Sequence, residues 1–500
     1  MNVKISSWIT HSYNKLRSDS EAGASKKYTV YMAKGETEGC QIAFRPESDT
    51  TVALKLVSGD SSLLYGMSAL NHKHLIEGKY YTDSTPPYNG EEIEVGENET
   101  TPILVEFRTY ENTEAGDYEF VFEAANGEGV IGTYEVTVHV WNFVLPVNKT
   151  LQTAVGLGRW RIESLHGYCN DELYKKYYDM LLDHGISAYV LPYDILDPRA
   201  DAYMSDPRVT AFSMFWEADD EKLLEYYNKV TSNPEWTKKA FFYPLDEPDD
   251  IPKLEELKKR CERLKVLCPK IGRTSPYYTD IQTGENSDQV DHMSEYINLH
   301  CPKLALYDDE MSYGQYLKYT PEKTFWQRMD DLIARGDRMW TYICNAPIKP
   351  YGALFADYPG TWQRPIFWQT YERSATGFLY WSCNAWDYHG HKIDPWEDLW
   401  NSCKGLNPGE EPVPVYAEGI LCYPGMKVGI DGPVSSIRMK IFRDGIEDYE
   451  LFVIAEKLLG RDFVIKKINE VTPSLTEFSS DIDKIALVRK EIGEAIEKVM

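Results

Sequence analysis

From residue 150 onward one alternation recurs eight times: a short run rich in β-branched and aromatic residues, then a longer stretch with helical spacing. The runs are "QTAVGL", "ISAYVLP", "RVTAFSMF", "AFFYPL", "GRTSPYY", "EYINLH", "RMWTYIC" and "TGFLYWSC". Strands joined through helices run parallel, and eight such units can close on themselves with the helices outside. The pattern predicts a (β/α)8 TIM-type barrel over residues 149–460. In "DDIPKLEELKKRCERLKVLC" Pro252 falls in the first turn, and Leu254, Leu257, Cys261, Leu264 and Cys268 form one apolar stripe. In "NDELYKKYYDMLLDHG", Asn170 or Asp171 can cap the start, and Gly185 marks the stop. The last barrel helix is expected within 436–460.

Residues 1–148 read instead as an N-terminal β-sandwich. "DYEFVFEAA" places Tyr118, Phe120 and Phe122 on one face, and "YEVTVHVWNF" does the same with Val136, Val138 and Val140. Turn-rich pieces separate such runs, and "LPVNKT" (145–150) connects to the barrel. Residues 461–500 predict a C-terminal helical extension. The fold class is multidomain α/β.

A formal charge of -26, from 79 acidic and 53 basic residues, disfavours nucleic acid and anionic membrane surfaces as partners. No stretch is long enough to span a bilayer, so membrane insertion is not expected. Neutral ligands fit better, and the 36 Tyr and 13 Trp can supply the flat apolar faces that suit sugar rings. Nine cysteines, an odd number with no C-x-x-C pair, argue against a zinc ribbon or a disulfide framework. The opening "MNVKISSWITHSYNKLRSDSE" lacks the apolar run of a signal peptide, which reads as cytoplasmic, or as secreted if the native start lies upstream. No metal-ligand spacing, Gly-rich phosphate loop or G-x-S-x-G element is present, and no cofactor is expected.

"FFYPLDEPDD" (241–250) places Asp246 and Glu247 side by side at the end of the fourth run, the carboxyl face where barrel enzymes keep their chemistry. Adjacent residues of a regular strand point to opposite faces, so both serve one pocket only if the strand ends or kinks there. Pro248 biases Glu247 to an extended conformation and blocks helix until the next turn, while Pro244 lacks the N–H a central strand would use. A bare D-E-P is more often a solvated acidic turn before a helix N-terminus. Neighbouring carboxylates also suit poorly the usual glycosidase arrangement, in which the two flank the scissile bond. They suit a different division of labour: one protonates the leaving oxygen, and the other orients a nucleophile that the substrate carries. The carbonyl oxygen of a 2-acetamido sugar is such a nucleophile.

"FFYPLDEPDD", "WTYICNAP", "ADYPGTWQRPIFWQTYERSATGFLYWSCNAWDY" with "DPW" after it, and "YPG" followed by "GPVSSIRMKIFRDGIEDYE" resemble glycoside hydrolase family 123. The resemblance runs from about residue 100 to 460. It implies an N-terminal β-sandwich, a catalytic barrel, and release of terminal β-linked N-acetylgalactosamine by a substrate-assisted retaining mechanism. The family's catalytic Asp-Glu pair falls on Asp246 and Glu247. One departure is visible: "AEGILCYPG" has Glu418 where the family pattern has Gly-Asp-Gly.

Other candidates follow from position. Trp381 can be a floor for a pyranose and Asn384 can bond a hydroxyl; Tyr342 and Asn345 end the seventh run and can hold the acetamido oxygen. His300 ends the sixth run, and one of Tyr277 and Tyr278, with Tyr278 preferred, can face the pocket. Each has a plainer reading as ordinary barrel core. Trp160, Arg161 and Trp216 can line an outer subsite. Arg438, Arg443, Asp444, Glu447 and Asp448 suit arginine–carboxylate pairing at the helix–barrel junction rather than catalysis. The leading expectation is an exo-acting β-N-acetylgalactosaminidase with Glu247 as acid/base and Asp246 orienting the acetamido group. Its rivals are a β-N-acetylglucosaminidase of the same mechanism and a non-catalytic glycan-binding barrel. Oligomeric state is not legible.

Overall fold

The computed structural model describes residues 4–278, 281–308, 321–407 and 410–500. Seven strands make one parallel sheet in the spatial order Gln152–Val155, Gly377–Tyr380, Arg338–Ile343, Leu299–Pro302, Gly272–Tyr277, Ala240–Phe242, Phe212–Met214. The sheet curls into a nearly closed barrel. Ala154, Phe241, Leu299, Cys301, Trp340, Tyr342 and Leu379 meet in one buried apolar cluster, with Phe241 and Trp340 edge to face at 5.0 Å. The fourth expected run ends as a strand at Phe242, two residues before Pro244, where the missing N–H would break the ladder.

The run "ISAYVLP" does not form a regular strand. Residues 187–189 nonetheless lie between the two edge strands: Val155 N donates to Ser187 O at 2.9 Å, Tyr189 N to Val155 O at 3.1 Å, and Ser213 N to Tyr189 O at 2.7 Å. Three hydroxyls explain the irregularity. Ser187 N donates to Thr153 Oγ1 (2.8 Å), Thr210 N to Ser187 Oγ (2.8 Å) and Thr153 N to Thr210 Oγ1 (2.9 Å), so side chains replace backbone carbonyls in the ladder.

The expected helices form where their caps predict. Asn170 accepts from Leu173 N to open Asp171–Asp183, and Asp250 accepts from Lys253 N to open Ile251–Leu267, whose buried side is Leu254, Leu257, Cys261 and Leu264. Ser436 caps Ile437–Leu459, a helix buried over most of its length.

The N-terminal region holds two sheets of four and five strands. Ile42, Val105 and Phe107 of one share a buried cluster with Val52, Phe120, Phe122, Val136 and Val138 of the other. Buried ion pairs tie this region to the long helix. Arg438 donates to both oxygens of Asp83 at 2.7 and 2.8 Å and Arg443 to Glu106 at 2.8 Å, while Arg364 of the barrel region bridges Asp448, at 2.7 and 2.8 Å, to Glu38 of the N-terminal region. The final helix, Lys484–Val499, lies against the N-terminal sheets, with Gly493 so close to the Trp141 ring that a Cβ would stand 2.3 Å from it. No helix among the described residues is long and apolar enough to cross a membrane.

Candidate active site

The strand Ala240–Phe242 delivers the chain to the carboxyl face of the barrel, and residues 243–250 then turn sharply before the next helix. Glu247 is not extended, the conformation expected before Pro248, but sits in the left-handed region at φ +41°. For a non-glycine residue this backbone costs about 1–3 kcal/mol and persists only where the surroundings fix it. Here they do: the carbonyl of Pro244 accepts from Arg260 at 2.6 Å, that of Leu245 from Ser275 Oγ at 2.8 Å, and that of Pro248 from the Gln289 amide. The reversal answers the face problem posed by a regular strand, because Asp246 and Glu247 line one and the same cavity.

That cavity measures about 470 Å³. The Tyr243 hydroxyl donates to Asp246 Oδ1 and the Tyr342 hydroxyl to Glu247 Oε1, each at 2.5 Å. Asp246 is exposed, whereas Glu247 is half-buried. Burial raises the Glu247 pKa above the usual carboxylate range; Lys303 and the Tyr342 hydrogen bond oppose the rise, and the charge of Asp246 adds to it. A carboxyl whose pKa is raised beside a second carboxylate can deliver a proton while its neighbour acts as an anion.

Trp381 forms another wall. Its indole N–H donates to Glu418 Oε1 at 2.5 Å, and the Tyr380 hydroxyl donates to Glu418 Oε2 at 3.0 Å. Glu418 is buried and its pKa is pushed up to about 7, mainly by desolvation. Tyr388 meets the Trp381 ring edge-on at 5.5 Å; it belongs to a two-stranded ribbon whose turn residues His389 and Gly390 both have positive φ. Glycines pack against both the backbone and the ring of Trp381: a Cβ on Gly156 would stand 2.0 Å from its carbonyl oxygen, and one on Gly419 would stand 2.4 Å from its indole.

Asp246, Glu247, Tyr342, Asn345 and Trp381 therefore share the cavity. Asn345 reaches it while its amide donates to Lys404 O at 2.7 Å. Three expected contacts lie elsewhere. Asn384 is buried with both ends of its amide on the backbone of Gly158, at 3.0 Å each, so it anchors the loop before Trp160 and Arg161 and lies outside the cavity lining. His300 is fully buried and pairs with Asp337 at 3.1 Å, outside the cavity wall. Tyr278 is outside that lining too and stands at the surface, with the Lys303 ammonium 4.7 Å from its ring.

The sequence reading missed Lys303, Tyr243 and Tyr388 and left Glu418 without a role. Lys303 directly follows the strand Leu299–Pro302, a position that could have flagged it. Glu418 and Tyr388 come from loops beyond the last strand, which no periodicity addresses. Among the described residues no group of His, Cys, Asp or Glu side chains could hold a metal ion.

A family 123 glycoside hydrolase from Clostridium perfringens, analysed for glycolipid glycan hydrolysis, superposes with a TM-score of 0.68 at 12% identity, covering 99% of this chain and 98% of that one. A family 39 glycoside hydrolase from Bacteroides cellulosilyticus is more distant, with a TM-score of 0.34 at 11% identity over 83% of this chain and 81% of its own. No curated protein matches. The sequence model of the glycoside hydrolase 123 catalytic domain matches residues 173–455, a span that contains the acidic pair and all but the first strand of the barrel. With more than half of its length matched by that model, the chain belongs to glycoside hydrolase family 123.

Proposed function

We propose that this glycoside hydrolase is an exo-acting β-N-acetylgalactosaminidase using a substrate-assisted retaining mechanism. The observation that carries the reading is the placement of two adjacent carboxyls on one cavity, Glu247 turned in by its positive φ and with its pKa raised by burial. Glu247 protonates the glycosidic oxygen while the acetamido carbonyl attacks the anomeric carbon, closing an oxazolinium ring. Asp246 orients the amide and stabilises its developing positive charge. Glu247, now ionised, takes a proton from water, which opens the ring with overall retention. Trp381, fixed by Glu418, offers a face for the pyranose. The glycolipid glycans hydrolysed by the Clostridium perfringens relative agree with a sugar substrate of this kind.

In the same reading, residues 1–148 form a sandwich domain, 149–460 the catalytic barrel and 461–500 a helical extension. Nitrophenyl glycosides test the activity: the β-N-acetylgalactosaminide should be cleaved, with the β-N-acetylglucosaminide slower and the β-galactoside inert. Fast cleavage of the β-galactoside would overturn the proposal, and a faster β-N-acetylglucosaminide would reassign the sugar.

A further inference from the structure

The cavity holding the acidic pair opens into a second cleft of about 550 Å³, and the two share Trp160, Arg161, Tyr243, Asp246 and Trp381. A ligand extending from one into the other passes Arg161. The Arg161 guanidinium donates from Nη1 to Ser382 Oγ at 2.8 Å and from Nε to the Asp387 carbonyl at 3.3 Å. Five N–H groups are available on a guanidinium, so these bonds leave most of the fork unused. Its Cζ lies over two indoles, 4.7 Å from the Trp160 ring centroid and 5.4 Å from that of Trp381.

No carboxylate lies within ion-pair distance of Arg161 among the described residues; burial lowers its pKa, and the more distant charge of Asp387 opposes that only in part. Arg260 in the same cleft differs: it is bonded to Glu256 at 2.7 Å and to the Pro244 carbonyl, and stacks over Trp216. Helix stability gives no reason for a cation at 161 either. The residue lies in the first turn of Arg159–His166, where positive charge opposes the helix dipole and no acidic residue offsets it. A half-buried, flat, stacked fork with free N–H groups matches the bidentate recognition of a carboxylate or sulfate.

We propose that Arg161 forms an anion subsite for the unit following the terminal sugar, so that the preferred substrates carry a carboxylate or a sulfate ester on their leaving-group side. This inference rests on the reading of the acidic cavity as the terminal-sugar site. The Trp160 and Trp381 rings flank the guanidinium, its N–H groups not bonded to Ser382 and Asp387 remain for the anion, and the Asp246 carboxylate on the same wall accepts from Tyr243. A carboxylate and a sulfate ester can each present two oxygens to the fork, the first from a planar carbon and the second from a tetrahedral sulfur.

Three disaccharides test it, with β-N-acetylgalactosamine linked 1→4 to glucose, to glucuronic acid, or to glucose 6-sulfate. Wild type should favour at least one anionic disaccharide over the neutral one by about 10- to 100-fold in kcat/KM, the size of one charge-assisted bidentate contact. The preference should shrink with added salt, vanish in Arg161→Met and survive in part in Arg161→Lys. Which anion is favoured identifies the source. Cleavage of the nitrophenyl glycoside with no preference among the disaccharides overturns the subsite and leaves the proposed activity standing. If no 2-acetamido glycoside is cleaved, calorimetric binding of the same three disaccharides still decides: tighter binding of an anionic one, lost in Arg161→Met, supports the subsite, and equal binding overturns it.

Discussion

The Tyr342 hydroxyl donates to Glu247 Oε1 at 2.5 Å, so the seventh expected strand holds the acid delivered by the fourth. A donor on a carboxylate favours its ionised form, and this bond therefore restrains the rise in pKa that burial imposes on Glu247. Removing it in Tyr342→Phe leaves burial and the Asp246 charge less opposed. The acid then stays protonated to higher pH, and the basic limb of the kcat/KM profile should move upward, with a loss of about 5- to 50-fold at the optimum. A limb that stays in place or moves down contradicts the assignment. Because the two carboxyls interact, the measured values belong to the pair.

Glu247→Gln should lower turnover by about 10²–10⁴-fold for a poor leaving group. With an activated nitrophenyl group, which departs without protonation, the loss in the first step should be far smaller. Single-turnover rates across a leaving-group series read this directly, and equal losses throughout would remove Glu247 from the acid role.

Glu418 carries a pKa of about 7, well above that of an exposed glutamate. Between those values the folded protein binds a proton that the unfolded chain releases, so its contribution to stability is complete below the unfolded pKa and declines as pH rises toward 7. A tenfold difference in proton affinity between the folded and unfolded states corresponds to about 1.4 kcal/mol. Glu418→Gln abolishes the titration, and its melting temperature relative to wild type should climb from pH 4.5 to 7 and level off above. Parallel pH curves for the two proteins would show that Glu418 does not titrate as described. Glu418→Ala, which removes the Trp381 acceptor altogether, should raise KM more than it lowers kcat.

Asp83 and Arg438 form a fully buried bidentate pair between the N-terminal region and the long helix. Truncating one partner strands the other charge, and Asp83→Ala should destabilise the protein by about 3–5 kcal/mol. The double variant Asp83→Leu/Arg438→Met should recover much of that loss. Denaturant unfolding of the three proteins measures both, and full additivity would argue against a direct pair.

Much of the barrel is legible in the sequence because its strands are apolar runs separated by capped amphipathic helices, as in Ile251–Leu267. The run at 186–192 misleads as a regular strand because Thr153, Ser187 and Thr210 bond through hydroxyls where backbone would serve. Asp246 and Glu247 stand out as a repelling pair at a strand end, but the positive φ of Glu247 that aims both inward has no sequence signature. Asn384 and His300 read as site residues by position alone; long-range bonds to Gly158 and Asp337 take them out of the cavity. Glu418 binds an indole 37 residues away in the chain, a separation beyond any local pattern.

The claim that the substrate supplies its own nucleophile is tested most directly by the rate of cleavage as the acyl methyl of the 2-acetamido substrate is fluorinated stepwise, with chemistry rate-limiting. Each fluorine withdraws electron density from the carbonyl oxygen. Substrate assistance predicts a progressive fall through the mono-, di- and trifluoroacetamides, with the 2-hydroxy analogue almost unreactive and Asp246→Asn impairing kcat more than ground-state binding. Fluorinated substrates reacting as fast as the parent would contradict it and place the nucleophile on the protein.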